Sequence, residues 1–162
     1  MSSQPIFGIT GWKNAGKTTL TERLVAEFVR RGWRIATIKH AHHAVDIDQK
    51  GTDSWHHRAA GATEVALVGG QRYAVMREQP EATLAEVLER LAPADIVLIE
   101  GFKREPHLKI EVRSDDTRPS LAKDDPAIVA IAADQKPADS ALPWFTRDDI
   151  AMMADFIEGQ FE

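Results

Sequence analysis

The chain has 162 residues, a formal net charge of −5 and no cysteine. That length supplies the core of one domain; the acidic balance offers no general basic field for nucleic acid or anionic lipid; and disulfides and thiolate metal sites are excluded. No apolar run approaches the ~20 residues of a membrane-spanning helix and the N-terminus lacks a signal-peptide pattern, so a single domain, 1–162, in the cytoplasm is expected, with no nucleic-acid or membrane partner.

Pro5-Ile6-Phe7-Gly8-Ile9-Thr10 is a short, mostly apolar run that reads as a buried strand. It enters Gly11-Trp12-Lys13-Asn14-Ala15-Gly16-Lys17-Thr18, which fits the phosphate-loop pattern G-x-x-x-x-G-K-[ST] at every fixed position. Gly11 and Gly16 permit the close approach that lets successive backbone N–H groups point at phosphate oxygens. Lys17 reaches the β- and γ-phosphates, the Thr18 hydroxyl ligates a bridging magnesium ion, and Thr19 meets a more distal phosphate. A helix follows at once, with Leu20, Leu24, Val25, Phe28 and Val29 on its apolar stripe and an end near Gly32.

Trp33 to Lys39 reads as a second strand, joined to the first by a right-handed βαβ crossover. His40 to Gly51 has neither helical nor strand period. In a phosphate-loop protein this segment lies near the γ-phosphate, where Asp46 and Asp48 hold magnesium waters or orient an attacking water; the alternative is a solvated loop. Thr52 to Ala60 reads as a short capped helix ended by Gly61, with Asp53 either acting on the nucleotide or complementing the helix dipole. Thr63 to Val68 and Arg72 to Arg77 flank Gly69-Gly70-Gln71, which predicts a hairpin over 64–77 that extends the sheet and leaves an edge for another subunit.

Thr83 and Glu86 have the spacing of a capping box, ahead of a helix with Leu84, Val87, Leu88 and Leu91 on one face. The four apolar residues Ile96 to Ile99 suit a strand buried on both faces. Glu100 ends it, where ligands bind in open α/β sheets, and matches the second acidic motif of phosphate-loop proteins with Glu in place of Asp. Lys103 and Arg104, just behind, either contact an anion or are solvated. Leu108 to Arg113 is an alternating strand, Ser114 to Pro126 a polar loop expected to be mobile, and Ala127 to Ala132 the last buried strand, closed by Ala133-Asp134. Thr146 with Asp149 caps a final helix that turns Ile150, Met153, Ala154 and Ile157 to the core. The fold class is therefore α/β: a three-layer phosphate-loop NTPase fold, mostly parallel, with an extending hairpin.

The phosphate loop through Thr19-Leu20 is followed by Lys39-His40-Ala41-His42-His43, Asp46-Ile47-Asp48, Gly51-Thr52-Asp53-Ser54, Arg58 to Ala62 and Glu100-Gly101-Phe102-Lys103. Together these segments closely resemble the molybdopterin-guanine dinucleotide biosynthesis protein B family, over almost the whole chain. The resemblance implies a GTP-binding, weakly hydrolysing, magnesium-dependent homodimer. It further implies an adaptor that assists the guanylyltransferase attaching GMP to molybdopterin without transferring the nucleotide itself. On that reading Gly11, Trp12, Lys13, Asn14, Ala15, Gly16, Lys17, Thr18, Thr19 and Asp53 bind the nucleotide, Thr18, Glu100 and Asp46 hold the metal, and Glu100, Asp46 and Asp48 serve hydrolysis. One departure stands out. A related branch of dimeric NTPases carries a signature lysine directly after the first loop glycine; here Trp12 holds that position and Lys13 follows, so a reach across the dimer does not carry over.

The Asn-Lys-x-Asp guanine motif is missing, so the base is weakly encoded. The strand Ala127 to Ala132 ends at Ala133-Asp134, where a loop at the carboxyl end of the sheet can meet the base: a carboxylate there accepts from guanine N1–H and the 2-amino group, unless it merely opens the Gln135-Lys136-Pro137 turn. Two other functions share the loop. A metallochaperone-type GTPase needs imidazole or soft ligands at fixed spacing, whereas His42 and His43 are adjacent and no cysteine exists. A small-molecule kinase turns over fast only with its acceptor.

Overall fold

The computed structural model describes residues 4–41, 45–114 and 117–162. The chain divides into two compact units, one formed by the stretch up to His40 together with Leu91–Glu162, the other by Ala41–Arg90.

The first unit is a six-stranded parallel sheet. Its strands are β1 (Ile6–Thr10) and β2 (Ile35–Lys39), here joined by helix α1 (Lys17–Arg30). The strand Ile96–Glu100, called β5 because two strands of the second unit precede it, lies between β1 and β2. On the other side of β1 come β6 (Lys109–Arg113), β7 (Ile128–Ala133) and β8 (Trp144–Phe145), in that order. The crossover through α1 therefore skips one strand. Neighbours of β1 lead away in both directions, so the C-terminal end of β1 is the topological switch point where open α/β sheets bind ligands. All five residues of β5 are buried, as its unbroken apolar run predicts.

One sheet face carries the hydrophobic core. Phe7 and Ile9 of β1, Ile96 and Leu98 of β5, Ile110 and Val112 of β6 and Ala130 and Ala132 of β7 pack against Leu20, Leu24 and Phe28 of α1 and Met153, Ala154 and Ile157 of α4 (Ile150–Glu158). The stripe of α1 differs in one place from the sequence expectation: Thr21 is buried and Val29 is 58% exposed. Leu20, Leu24 and Phe28 advance by fours, and one step of about 100° past Phe28 turns Val29 off the face.

The opposite face of β6 accounts for its alternation. Lys109, Glu111 and Arg113 are all buried, and each is paired. Lys109 Nζ donates to Glu105 O (2.5 Å) and Asp125 Oδ2 (3.1 Å); Ser120 Oγ and Leu121 N donate to Glu111; Arg113 Nη1 donates to Asp139 Oδ1 (2.7 Å). The segment expected to be a mobile loop thus contributes, through Ser120, Leu121 and Asp125, the partners that let charges sit inside the fold.

The second unit contains α2 (Asp53–Ala59), β3 (Glu64–Val68), β4 (Tyr73–Arg77) and α3 (Leu84–Arg90). The capping box forms as the spacing predicts: Glu86 N donates to Thr83 Oγ1 and Thr83 N donates to Glu86 Oε2. Strands β3 and β4 pair antiparallel from Glu64–Arg77 to Val68–Tyr73, but they form a two-stranded sheet of their own. The expected extension of the main sheet is corrected accordingly. A tight turn pairs two strands locally, and that signal carries no information on what their outer edges join. Leu67, Val68, Tyr73 and Val75 of this hairpin are exposed. Among the described residues no helix is long and apolar enough to cross a membrane.

Candidate nucleotide-binding site

The loop after β1 is shaped by three residues with positive φ, Gly11 (150°), Asn14 (64°) and Gly16 (99°). A Cβ on Gly11 would stand 2.5 Å from the backbone oxygen of Val112, so only glycine lets the loop cross the end of β6 this closely. Gly16 caps α1 in the left-handed conformation, and the first turn of α1 lines the same hollow as the loop. Lys13, Asn14, Gly16, Lys17, Thr18, Thr19 and Glu100 line that hollow.

Lys17 folds back across the loop and donates to Gly11 O (3.1 Å) and Trp12 O (2.8 Å). Burial, and then the nearby ammonium groups of Lys103 and Lys39, hold its pKa below the ordinary lysine value, with Glu100 opposing them. A triphosphate offers this ammonium better acceptors than two neutral carbonyls.

Beside it, Thr18 Oγ1 donates to both oxygens of Glu100, at 2.9 and 3.1 Å. Lys39, register partner of Glu100 across β2 and β5, completes the cluster with Nζ 3.3 Å from Thr18 Oγ1 and 3.5 Å from Glu100 Oε1. Sequence reasoning assigned Lys39 no role; its position as the last residue of the strand paired with β5 was the available signal. The chain then turns sharply through Gly101 (φ 102°) and Phe102 (φ 48°), where a Cβ on Gly101 would lie 2.8 Å from that of His40. His40 N donates to Glu100 O (2.8 Å) and its ring stacks on Phe102 (4.4 Å), fixing the end of β5. The hydroxyl and carboxylate oxygens of Thr18 and Glu100 are hard donors of the kind magnesium takes, so the pair fits the implied metal.

Trp12 ties the loop to its neighbours. Its Nε1 donates to Pro119 O (3.0 Å), and Lys103 Nζ and Arg118 Cζ stand 5.8 and 5.4 Å from its ring centroid. Asp134, just past the end of β7, is paired with Arg147: Arg147 Nε donates to Oδ1 (2.7 Å) and Nη2 to Oδ2. The guanidinium holds the Asp134 carboxyl below its usual range.

In the second unit, Arg58 gathers the acidic motif. Its Nη2 donates to Asp46 Oδ1 (2.7 Å) and its Nε to Asp48 Oδ2 (3.1 Å), while Ser54 Oγ donates to Asp48 Oδ1 (2.8 Å). Asp48, its side chain 3% exposed, thus has both oxygens engaged. Asp53 opens α2, where its charge complements the helix dipole. The expected loop residues His42 and His43 lie outside the described residues.

A parallel sheet with a glycine loop and helix N-terminus at its switch point, and a threonine–carboxylate pair beside a lysine, defines a phosphate-loop nucleotide-binding protein. The profile of a known family, MobB, Molybdopterin guanine dinucleotide synthesis protein B, matches residues 6–134. The chain is 37% identical over 158 residues to the Molybdopterin-guanine dinucleotide biosynthesis adapter protein of Haemophilus influenzae, covering 95% of this chain and 88% of that one. It is 34% identical over 160 residues to the adapter protein of the same name in Escherichia coli, covering 94% and 91%. The crystal structure of Bacillus subtilis MobB superimposes with a TM-score of 0.74 at 28% identity, covering 98% of each chain. The chain belongs to the molybdopterin guanine dinucleotide synthesis protein B family.

Proposed function

We propose that this chain binds GTP with magnesium on the loop Gly11 to Thr19, hydrolyses it slowly, and serves as an adapter to the guanylyltransferase that attaches GMP to molybdopterin. The observation that carries this reading is the cluster of Lys17, Thr18 and Glu100 in a family whose relatives are named adapters of that biosynthesis. Lys17 exchanges two backbone carbonyls for phosphate oxygens, and Thr19, in the first turn of α1, faces the next phosphate. Thr18 and Glu100 are the residues that would hold the metal, which would supply neutralisation of phosphate charge. Glu100, at the mouth of the sheet, is the carboxylate placed to orient a water for hydrolysis. Asp46 remains a candidate for the same chemistry, whereas Asp48 is assigned to holding Arg58 and α2.

A homodimer belongs to this reading, because the exposed apolar hairpin of β3 and β4 has outer edges that a second copy can cover. So does a cytoplasmic setting, where GTP is available. The test is calorimetry of GTP binding with magnesium, followed by capture of partners with and without GTP. Lys17→Ala is expected to lose useful affinity, since a charge-assisted contact contributes about 1.5–3 kcal/mol, and GTP is expected to promote recovery of a nucleotidyltransferase. Unchanged affinity in Lys17→Ala would remove the loop from the site, and a GTP-independent capture would remove the nucleotide from the adapter role.

A further inference from the structure

We infer that Arg147, aimed by Asp134, is the residue that selects a 6-oxopurine base beside the phosphate loop; this rests on the nucleotide reading above. Arg147 follows β8 and stands against the loop: a Cβ on Gly16 would lie 3.3 Å from its Nη1. Two of its nitrogens are committed to Asp134, which fixes the plane of the guanidinium, while Nη1, the nitrogen turned to the loop, makes no hydrogen bond among the described residues. The backbone is held as firmly. Arg23 of α1 donates from Nη1 to Arg147 O (2.9 Å) and Asp148 Oδ1 (2.8 Å), and Trp144 Nε1 donates to Ala133 O (3.1 Å), tying the ends of β7 and β8 together. Arg147 is therefore a pre-oriented donor at the C-terminal edge of the sheet, on the β7 side of the loop, away from Glu100.

The chemistry of the group decides what it selects. A guanidinium has donors only. Guanine offers two acceptors, O6 and N7, on one edge, whereas adenine places a donor amino group beside its N7. Arg147 thus favours guanine through the O6 and N7 edge, and the 2-amino group takes no part. This differs from direct reading of N1–H and the 2-amino group by Asp134, in that Arg147 engages each carboxylate oxygen once and it is the guanidinium that is turned to the loop. Asp134 is a positioning residue: it sets the guanidinium and leaves the base to it.

The two readings diverge on inosine triphosphate, which keeps O6 and N7 but lacks the 2-amino group. Calorimetry on the full chain with GTP, inosine triphosphate, ATP and inorganic tripolyphosphate separates them. The wild type is expected to bind GTP and inosine triphosphate within about threefold of each other and ATP about tenfold or more weakly, the range of one good base contact. Arg147→Met, which keeps the apolar stem, is expected to level GTP, inosine triphosphate and ATP while leaving tripolyphosphate unchanged, and Asp134→Asn to lose much of the same discrimination. Retained discrimination in Arg147→Met overturns the inference, as does a wild type that binds inosine triphosphate about tenfold more weakly than GTP. A wild type that binds all three nucleotides and tripolyphosphate equally overturns it alone, whereas one that binds none of them overturns the nucleotide reading as well.

Discussion

Glu100→Gln separates two roles of the carboxylate that the geometry combines. The substitution keeps the volume of a side chain that is 11% exposed and retains one oxygen to accept from Thr18. What disappears is a negative charge facing Lys39 and opposing the depressed pKa of Lys17. Lys39 is 61% exposed, so solvent screens its share, and the stability loss is expected to be only about 1 kcal/mol. The effect on ligands is larger and opposite in sign with and without metal. A carboxylate beside a triphosphate repels it by about 1–2 kcal/mol at the effective dielectric of a protein surface. Without magnesium, therefore, Glu100→Gln is expected to bind GTP about tenfold more tightly than the wild type. With magnesium, an anionic oxygen ligand has been lost, the gain from the metal shrinks by about tenfold or more, and hydrolysis slows by about a hundredfold. Titration of a fluorescent GTP analogue in chelator and in excess magnesium, alongside phosphate release, measures all three. A variant with wild-type metal dependence and wild-type turnover would reduce Glu100 to a hydrogen-bond acceptor for Thr18.

His107 is buried with neither ring nitrogen hydrogen-bonded among the described residues, and burial, with the charge of Lys109, lowers its pKa to about 4 from 6.5. The unfolded chain takes up this proton below about pH 6.5 and the folded chain refuses it until about pH 4, so stability is expected to fall across that window by up to about 3 kcal/mol. Urea midpoints at pH 7 and pH 4.5 should converge in His107→Gln relative to the wild type; an equal drop in both proteins would exonerate the histidine. Gly101→Ala is expected to cost about 2–3 kcal/mol in urea unfolding, from a left-handed φ of 102° and a Cβ 2.8 Å from that of His40, and a cost under about 1 kcal/mol would mean the turn relaxes freely. Asp48→Asn weakens the bonds from Arg58 and Ser54, so hydrogen exchange should quicken in α2 while β1 and β5 stay protected; slowed hydrolysis with α2 unchanged would instead return Asp48 to the chemistry.

The features legible in the sequence are those written in contiguous residues. The phosphate loop needs glycine at two fixed positions and Lys-Thr at the next two, and no tertiary partner alters that requirement. The same holds for the apolar run of β5 and for the capping box of Thr83 and Glu86, whose hydrogen bonds close within one turn. The two-residue strand β8 escaped because two residues carry no period. The hairpin was found and misplaced, since its turn specifies pairing within it and nothing beyond.

By itself, then, the sequence determined that this chain carries a phosphate-loop motif between a buried strand and a helix, and that Glu100 ends a buried apolar strand further on. Tertiary structure decided which charges are available to act there. Strand register sets Lys39 beside Glu100, 61 positions on in the chain and adjacent in the sheet. The pairing of β7 with β8 brings Arg147 to Asp134, a partner that the local sequence around Asp134 does not announce. Lys109, Glu111 and Arg113 read only as the polar half of an alternating strand, and their partners in the fold are what let them be buried. Charges interact over a few ångströms regardless of their separation along the chain, and only the folded backbone sets those distances.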